Sequence, residues 1–335
     1  MADVGKTRVA VLYGGQSVEH SVSVTSGHAV IGNFPSAYDV APVFIRRDGV
    51  WTLPEYADDA HRDTVGGSRL ISAGASLEGV DVVLPVLHGR GGEDGAVQGL
   101  LEMAGLPYVG SGITASAVGI DKEITKRILD TALLPVTPCA VLRPTDMTLV
   151  GDAREALGVP AFVKPAAGGS SIGVTRLTDW EDLPAAVEKA RKVSPKVLVE
   201  PAINGREVEV GVLEYPDGRV EAATPALVRT SGWYDFDAKY GDGEDTAEVL
   251  IPGPLEQKLV EVLKRLAVAA FQTLGCRGLA RVDFFVTDDD DVLINEVNTM
   301  PGFTEKSVFP RAWHVSGLSF PEMLEVMVET ALARP

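Results

Sequence analysis

GLARVDFFVTDDDDVLINEVNTMPGFTEKS, residues 278–307, reads as two short strands, 280–286 and 292–298, joined by an acidic turn at 288–291. Side chains alternate faces along a strand, so Arg281 and Asp283 project together from the first and Glu296 and Asn298 from the second. If the two faces coincide, a cation and two carboxylates converge. Two carboxylates and an amide oxygen are hard ligands suited to Mg2+, which takes few protein groups and completes its shell with water and phosphate oxygens. Asp283, Glu296 and Asn298 are therefore the expected metal ligands. The Pro-Gly loop that follows, 299–304, exposes backbone N–H groups able to hold an anion or a developing oxyanion. A surface hairpin with solvated polar residues is the alternative.

The 335-residue chain is long enough for two or three domains. Its net charge of -17 argues against nonspecific binding to nucleic acid or to anionic lipid, so local cations must meet any phosphate-bearing ligand. Cys139 and Cys276 lie far apart with no metal-binding spacing around them, and they read as small buried apolar residues. No window approaches a membrane-spanning run and no signal core opens the chain, which leads to the expectation of a soluble, cytoplasmic protein without membrane or nucleic-acid partners.

Residues 7–13 form an apolar run ending at Gly14-Gly15, a buried parallel strand entering a tight turn, with a helix from about His20. Glu19 sits at that turn, where open α/β sheets place ligands; it can bind an ammonium group or complement the helix dipole. Strands at 40–45 and 80–86 continue the alternation, the latter running into His88-Gly-Arg-Gly-Gly-Glu93-Asp94-Gly. His88 is a substrate-contact candidate there, and Glu93 and Asp94 read as helix-capping acids. Lys122, in the first turn of the next helix, has the wrong sign for the helix dipole and suggests a nearby anion. The strand 161–164 leads into a Gly-Ser loop, 168–173, flanked by strands on both sides, which can fold over phosphates beside Lys164, or be a flexible hairpin. Acids at Glu200 and Glu207 can accept from an adenine amino group or ribose hydroxyls, or be solvated loop acids. A long polar loop, 230–252, carries Trp233, Tyr234, Phe236 and Tyr240 and has the length of a lid.

In order, Gly14-Gly15 with Glu19-His20, the His88 loop, Asp121-Lys122, Lys164-Pro with Gly169-Ser170-Ser171, Asp237-Ala-Lys239-Tyr240, Arg281-Val-Asp283 and Asn295-Glu296-Val-Asn298-Thr-Met-Pro-Gly resemble the D-alanine–D-alanine ligases of the ATP-grasp superfamily. The resemblance spans nearly the whole chain. It implies an α/β chain with an α+β C-terminal part, in three domains: an N-terminal open parallel sheet (1–112), a central segment (113–203) and a C-terminal catalytic segment (204–335) with lid loop 230–252. ATP is held between the last two. The resemblance further implies that Glu200 and Glu207 meet adenine and ribose, that Lys122, Lys164 and Ser171 meet phosphates, and that Asp283, Glu296 and Asn298 bind Mg2+, with Mn2+ as a substitute. By the same resemblance Glu19 binds the ammonium of a first D-alanine, near His88. Arg281 and the Gly302 N–H steady the phosphate and the oxyanion. Ser307 and Val308 line the second D-alanine pocket, and Ser170, Lys239 and Tyr240 close the lid. Homodimerisation is implied through the N-terminal domain. Glu305-Lys306 stands beside the second pocket where less charged residues are more usual, so a relative using D-serine or another second substrate, or a ligase kept for antibiotic self-resistance, stays an alternative.

Overall fold

The structure is a computed structural model and describes residues 5–52, 77–229 and 248–334. The apolar run at the start forms β1 (Arg8–Gly14), followed by α1 (His20–Asn33), β2 (Asp39–Ile45), β3 (Val82–Pro85) and α2 (Ala96–Met103). The three strands pair in parallel in the order β2-β1-β3. Parallel strands are buried on both faces, which explains why β1 carries an unbroken apolar run instead of alternation. Ala10, Leu12, Val43 and Val83 fill one side, while Val9, Val11, Val82 and Leu84 face the other. Gly14 ends β1 at φ +94°, where a Cβ would come within 2.3 Å of the Ile45 carbonyl oxygen, so only glycine turns the chain there.

Next come α3 (Ile113–Ile120) and α4 (Lys122–Thr131), separated by Asp121, whose side chain caps α4 by accepting from the Ile124 N–H. After these, β4 (Ala140–Leu142), α5 (Ala153–Leu157), β5 (Ala161–Pro165), β6 (Thr175–Leu177), α6 (Leu183–Arg191) and β7 (Val197–Pro201) build a four-stranded antiparallel sheet in the order β4-β7-β5-β6. The Gly-Ser loop joins β5 to β6, as expected from the strand signals on both sides.

The third sheet holds six strands. β8 (Gly205–Glu214), β9 (Val220–Ala222), β10 (Ala226–Arg229) and β11 (Glu248–Leu250) precede α7 (Gln257–Thr273), and β12 (Leu279–Thr287), β13 (Val292–Asn298), α8 (Val308–Val315) and α9 (Phe320–Leu332) follow it. The order is β11-β10-β8-β12-β13, with β9 beside β8. Leu259, Leu263, Ala267, Ala270 and Phe271 of α7 cover one face of this sheet against Val208, Val210, Val282 and Phe284. The opposite face packs Leu213 and Leu279 against Phe309 and Trp313 of α8 at one end and carries Arg281 and Asp283 beyond them.

The cores cross the expected segments. Ala115 of α3 and Leu129 of α4 belong to the core of the six-stranded sheet. Phe303, Phe309, Met323 and Met327 from the C-terminal part pack into one core with Val9, Val11, Val82 and Leu84 of the N-terminal sheet. Among the described residues, no helix is long and apolar enough to cross a membrane.

Candidate active site

Strands β12 and β13 pair antiparallel with Arg281 opposite Asn298 and Asp283 opposite Glu296, so the two polar faces expected from the sequence coincide. β8 adds a third row to that face, with Glu209 opposite Asp283 and Gly211 opposite Arg281. Three acids thus lie side by side across three strands, an arrangement that costs free energy unless cations stand among them. Arg281 is one such cation. Its Nε and Nη2 donate to the two oxygens of Asp283, both at 2.7 Å, and its Nε lies 3.1 Å from Glu209 Oε2. Burial alone would lower the Arg281 pKa, but Asp283 and Glu209 hold it well above its ordinary value. Asn298 Nδ2 donates to Asp283 Oδ2 at 2.9 Å, so its amide oxygen is the atom left for a cation.

The pairing of β12 with β13 shifts register after Asp283, where Phe284 meets Ile294 and Asn295 is the extra residue. Such a bulge re-aims a side chain. Asn295 accordingly reaches Lys164, whose Nζ donates to Asn295 Oδ1 at 3.2 Å.

Two further segments bring cations to the same place. Lys122 Nζ lies 3.1 Å from Glu296 Oε2 and donates to the Gly168 carbonyl at 2.7 Å. The anion expected near Lys122 is therefore Glu296. Burial works against the Lys122 charge, and Glu296 more than restores it, raising its pKa. Lys164 Nζ lies 2.7 Å from Glu200 Oε2, and Lys126 Nζ lies 3.2 Å from Glu200 Oε1. Burial alone would raise the Glu200 carboxyl, but Lys164 and Lys126 hold it below its usual range. Lys126 also donates to the Thr137 hydroxyl. Glu207 lies two residues before Glu209 on β8, opposite Phe285.

A third group closes the site from the N-terminal sheet. Glu19 is buried at the start of α1, and it accepts a short hydrogen bond from the Ser170 hydroxyl, 151 residues away. Its side chain is engaged across the molecule, and it makes no side-chain cap to α1. Ser170 and Ser171 both take positive φ, 51° and 56°, a conformation unfavourable for residues with a Cβ and common where loops grip ligands. His88 is buried, with Nδ1 3.2 Å from the Met300 carbonyl and Nε2 3.0 Å from Ser26 Oγ. Burial lowers its pKa to about 4, so the ring is neutral near pH 7, donates to Met300 and accepts from Ser26. Nδ1 thus ties His88 to the Pro-Gly loop and Nε2 ties it to Ser26 of α1, whose hydroxyl also accepts from the Phe303 N–H at 3.4 Å. His88, a substrate-contact candidate from the sequence, thus stands in the loop after β3 with its two ring nitrogens on Met300 and Ser26. In that loop the Gly302 N–H finds no partner among the described residues, and the Ser307 hydroxyl bonds Thr304 at the entry to α8, next to Val308.

Lys239 and Tyr240, with most of the lid loop, lie outside the described residues. Lys126, Glu209, Asn295 and Glu93 were not assigned a role at this site from sequence. The first two were legible: Lys126 follows Lys122 by four residues and so shares its helix face, and Glu209 shares the strand face of Glu207. Asn295 was not, because its orientation follows from the bulge. Glu93, read only as a capping acid, accepts from the Gly89 N–H at 2.7 Å, and burial, with Glu19 nearby, pushes its carboxyl up to about 8.

Among the described residues, no three His, Cys, Asp or Glu side chains form a self-sufficient metal cage. Asp283, Glu296 and Asn298 nevertheless fit Mg2+. They offer hard oxygens on one face, and the Asp283–Glu296 juxtaposition calls for positive charge.

An antiparallel sheet whose acidic face meets Lys122 of α4, and whose Asn295 meets Lys164 of a second antiparallel sheet, with a carboxylate, Glu19, delivered from a separate parallel sheet, defines the ATP-grasp class of ligase. Models of the D-ala D-ala ligase N-terminus and C-terminus match residues 8–111 and 128–329. D-alanine–D-alanine ligases of Mycobacterium sp. (strain KMS) and Mycobacterium tuberculosis (strain H37Rv) are each 49% identical; the matches cover 98% of this chain and 97% and 96% of those proteins. Among solved structures, the D-alanine-D-alanine ligase from Coxiella burnetii superposes with a TM-score of 0.82 at 32% identity over 98% of this chain and 94% of that one. VanG D-Ala:D-Ser ligase from Enterococcus faecalis gives 0.83 at 31%, over 97% and 99%. The chain belongs to the D-alanine–D-alanine ligase family.

Proposed function

We propose that this chain joins two D-alanines into D-alanyl-D-alanine at the expense of ATP, through a D-alanyl phosphate, for peptidoglycan precursor synthesis. The observation that carries this reading is the register of β12 on β13, which sets Arg281 and Asp283 against Asn298 and Glu296 within reach of Lys122. Relatives named for D-alanine at 49% identity support D-alanine as second substrate, and the D-serine alternative is not favoured.

In this reading the carboxylate of the first D-alanine attacks the γ-phosphorus of ATP, a C–O–P linkage forms and ADP leaves. The amine of the second D-alanine then attacks the activated carbonyl, and phosphate departs from the tetrahedral intermediate. Such transfers need positioning and charge more than covalent help from the protein. Glu19, steadied by Ser170, receives the first ammonium group. Lys122, Lys164 and Ser171 take the phosphate charge, Arg281 steadies the transferring phosphoryl group, and the Gly302 N–H meets the oxyanion. Glu200 and Glu207 face the nucleoside, Glu200 also holding Lys164 in place. Ser307 and Val308 line the second pocket, and Lys239 and Tyr240 cover the site. Asp283, Glu296 and Asn298 would hold Mg2+, or Mn2+, which would supply charge neutralisation for the phosphates. Segments 1–112, 113–203 and 204–335 serve as the working domains, with dimerisation through the first.

The test is product analysis with ATP, Mg2+ and D-alanine, alone and paired with D-serine, D-lactate or other amino acids. D-alanyl-D-alanine with equivalent phosphate is the expected main product, and a dominant mixed product would overturn the second-substrate assignment. Asp283→Ala and Glu296→Ala should each lower turnover at least ~100-fold while the fold is kept.

A further inference from the structure

We infer that Glu209 is a positioning residue that holds Arg281 in its reacting pose from the side opposite the metal ligands. The inference rests on the ligase reading above. Arg281 is the group of this site aimed at the transferring phosphoryl group, yet its planar edge is spent on Asp283, to which Nε and Nη2 both donate at 2.7 Å. Asp283 is also a metal ligand in that reading. A carboxylate that shares its electron density with a divalent cation is a weaker acceptor for the guanidinium, so an arginine anchored on Asp283 alone would loosen when charge must be stabilised.

Glu209 removes that dependence. It sits on β8, directly across from Asp283 and on the far side from Glu296, and its Oε2 lies 3.1 Å from the same Arg281 Nε. Nε carries one hydrogen, which goes to Asp283, so the Glu209 contact is an ion pair that becomes the main anchor whenever Asp283 turns away. Glu209 is only 7% exposed, and a buried carboxylate beside another acid persists only where a cation binds it. Nη1 makes no hydrogen bond among the described residues, so the Asp283 hydrogen bonds leave that nitrogen's hydrogens for substrate.

Glu209→Gln keeps the shape and removes the charge. The expected result is a kcat lowered about tenfold, with KM for ATP and D-alanine within about twofold. The melting temperature should hold or rise, since Gln relieves the repulsion across from Asp283. The 15N–1H resonance of Arg281 Nε, assigned through Arg281→Lys, should shift and broaden with or without Mg2+. Within the Arg281→Lys background, Glu209→Gln should change kcat by less than about twofold, because the two act as one unit. A kcat within about twofold of wild type would overturn the proposal. So would an equal loss in both backgrounds, or an unmoved Arg281 resonance. Wild-type dipeptide formation in the same assay tests the ligase reading separately, and the resonance arm reports on Arg281 whatever the substrate.

Discussion

At Gly89 two carboxyl groups meet. Glu93 accepts from the Gly89 N–H, and Glu19 Oε2 lies 2.4 Å from where a Cβ on Gly89 would stand. Burial, then Glu19, raises the Glu93 carboxyl from 4.5 to about 8. Between those two values the folded protein keeps a proton that the unfolded chain has released, so stability falls as pH rises through that window. Glu93→Gln imitates the protonated form and removes the dependence. From pH 6 to pH 9 the wild type should lose about 5 °C more in melting temperature than Glu93→Gln, measured by calorimetry in matched buffers. Equal slopes would show that Glu93 is ionised at neutral pH. His88 acts in the opposite sense: its pKa is lowered to about 4, so it makes stability fall as pH drops from 6.5 toward 4. Residue chemistry at this scale was partly legible. Arg281, Asp283, Glu296 and Asn298 announced themselves by strand alternation, whereas the lowered pKa of His88 and the raised pKa of Glu93 depend on burial, which no local pattern encodes.

Among the elements, the loop after β3 is the most constrained. Gly89 has φ +74°, and a Cβ there would stand 2.4 Å from Glu19 Oε2 and 2.6 Å from Ser17 Oγ. Alanine must therefore both strain the backbone and displace the carboxylate assigned to the first ammonium group. Gly89→Ala is expected to raise KM for the first D-alanine about tenfold or more and to cost about 1–3 kcal/mol of stability. Steady-state kinetics and urea denaturation measure the two effects, and an unchanged KM would remove Glu19 from that role. The bulge in β13 is the contrasting case. Strict alternation would set Asn295 on the face opposite Glu296, and only the register shift lets it reach Lys164.

For the whole molecule, the C-terminal end ties the sheets together. Arg334 donates through Nη1 to the Gly110 carbonyl at 2.9 Å and the Tyr108 carbonyl at 3.3 Å, and its Nη2 lies 3.3 Å from Glu214 Oε2. Glu214 ends β8 and accepts from the Gly278 N–H at 2.8 Å, so one guanidinium joins the N-terminal part, β8 and the start of β12. Arg334→Ala leaves those acceptors with one donor fewer and should cost about 1–3 kcal/mol. In thermal unfolding that is a fall of roughly 2–4 °C per kcal/mol, with kcat at 25 °C unchanged. An unchanged melting temperature would mean that water replaces the guanidinium without loss.

The sequence by itself determined the polar faces of β12 and β13, the Gly-Ser hairpin, the buried β1 and the α7 face, because each rests on a local period or on a turn residue. It also carried the ordered series of motifs by which the family is recognised. Only the tertiary structure decided that Glu296 is the anion beside Lys122, that Lys126 and Lys164 share Glu200, that Glu209 flanks Arg281, and that α3 and α4 join the core of the six-stranded sheet. The reason is physical. Charges attract across any separation along the chain, and apolar surface buries against whatever surface the topology brings near, so these partners follow from the packing of sheets and not from spacing along the chain.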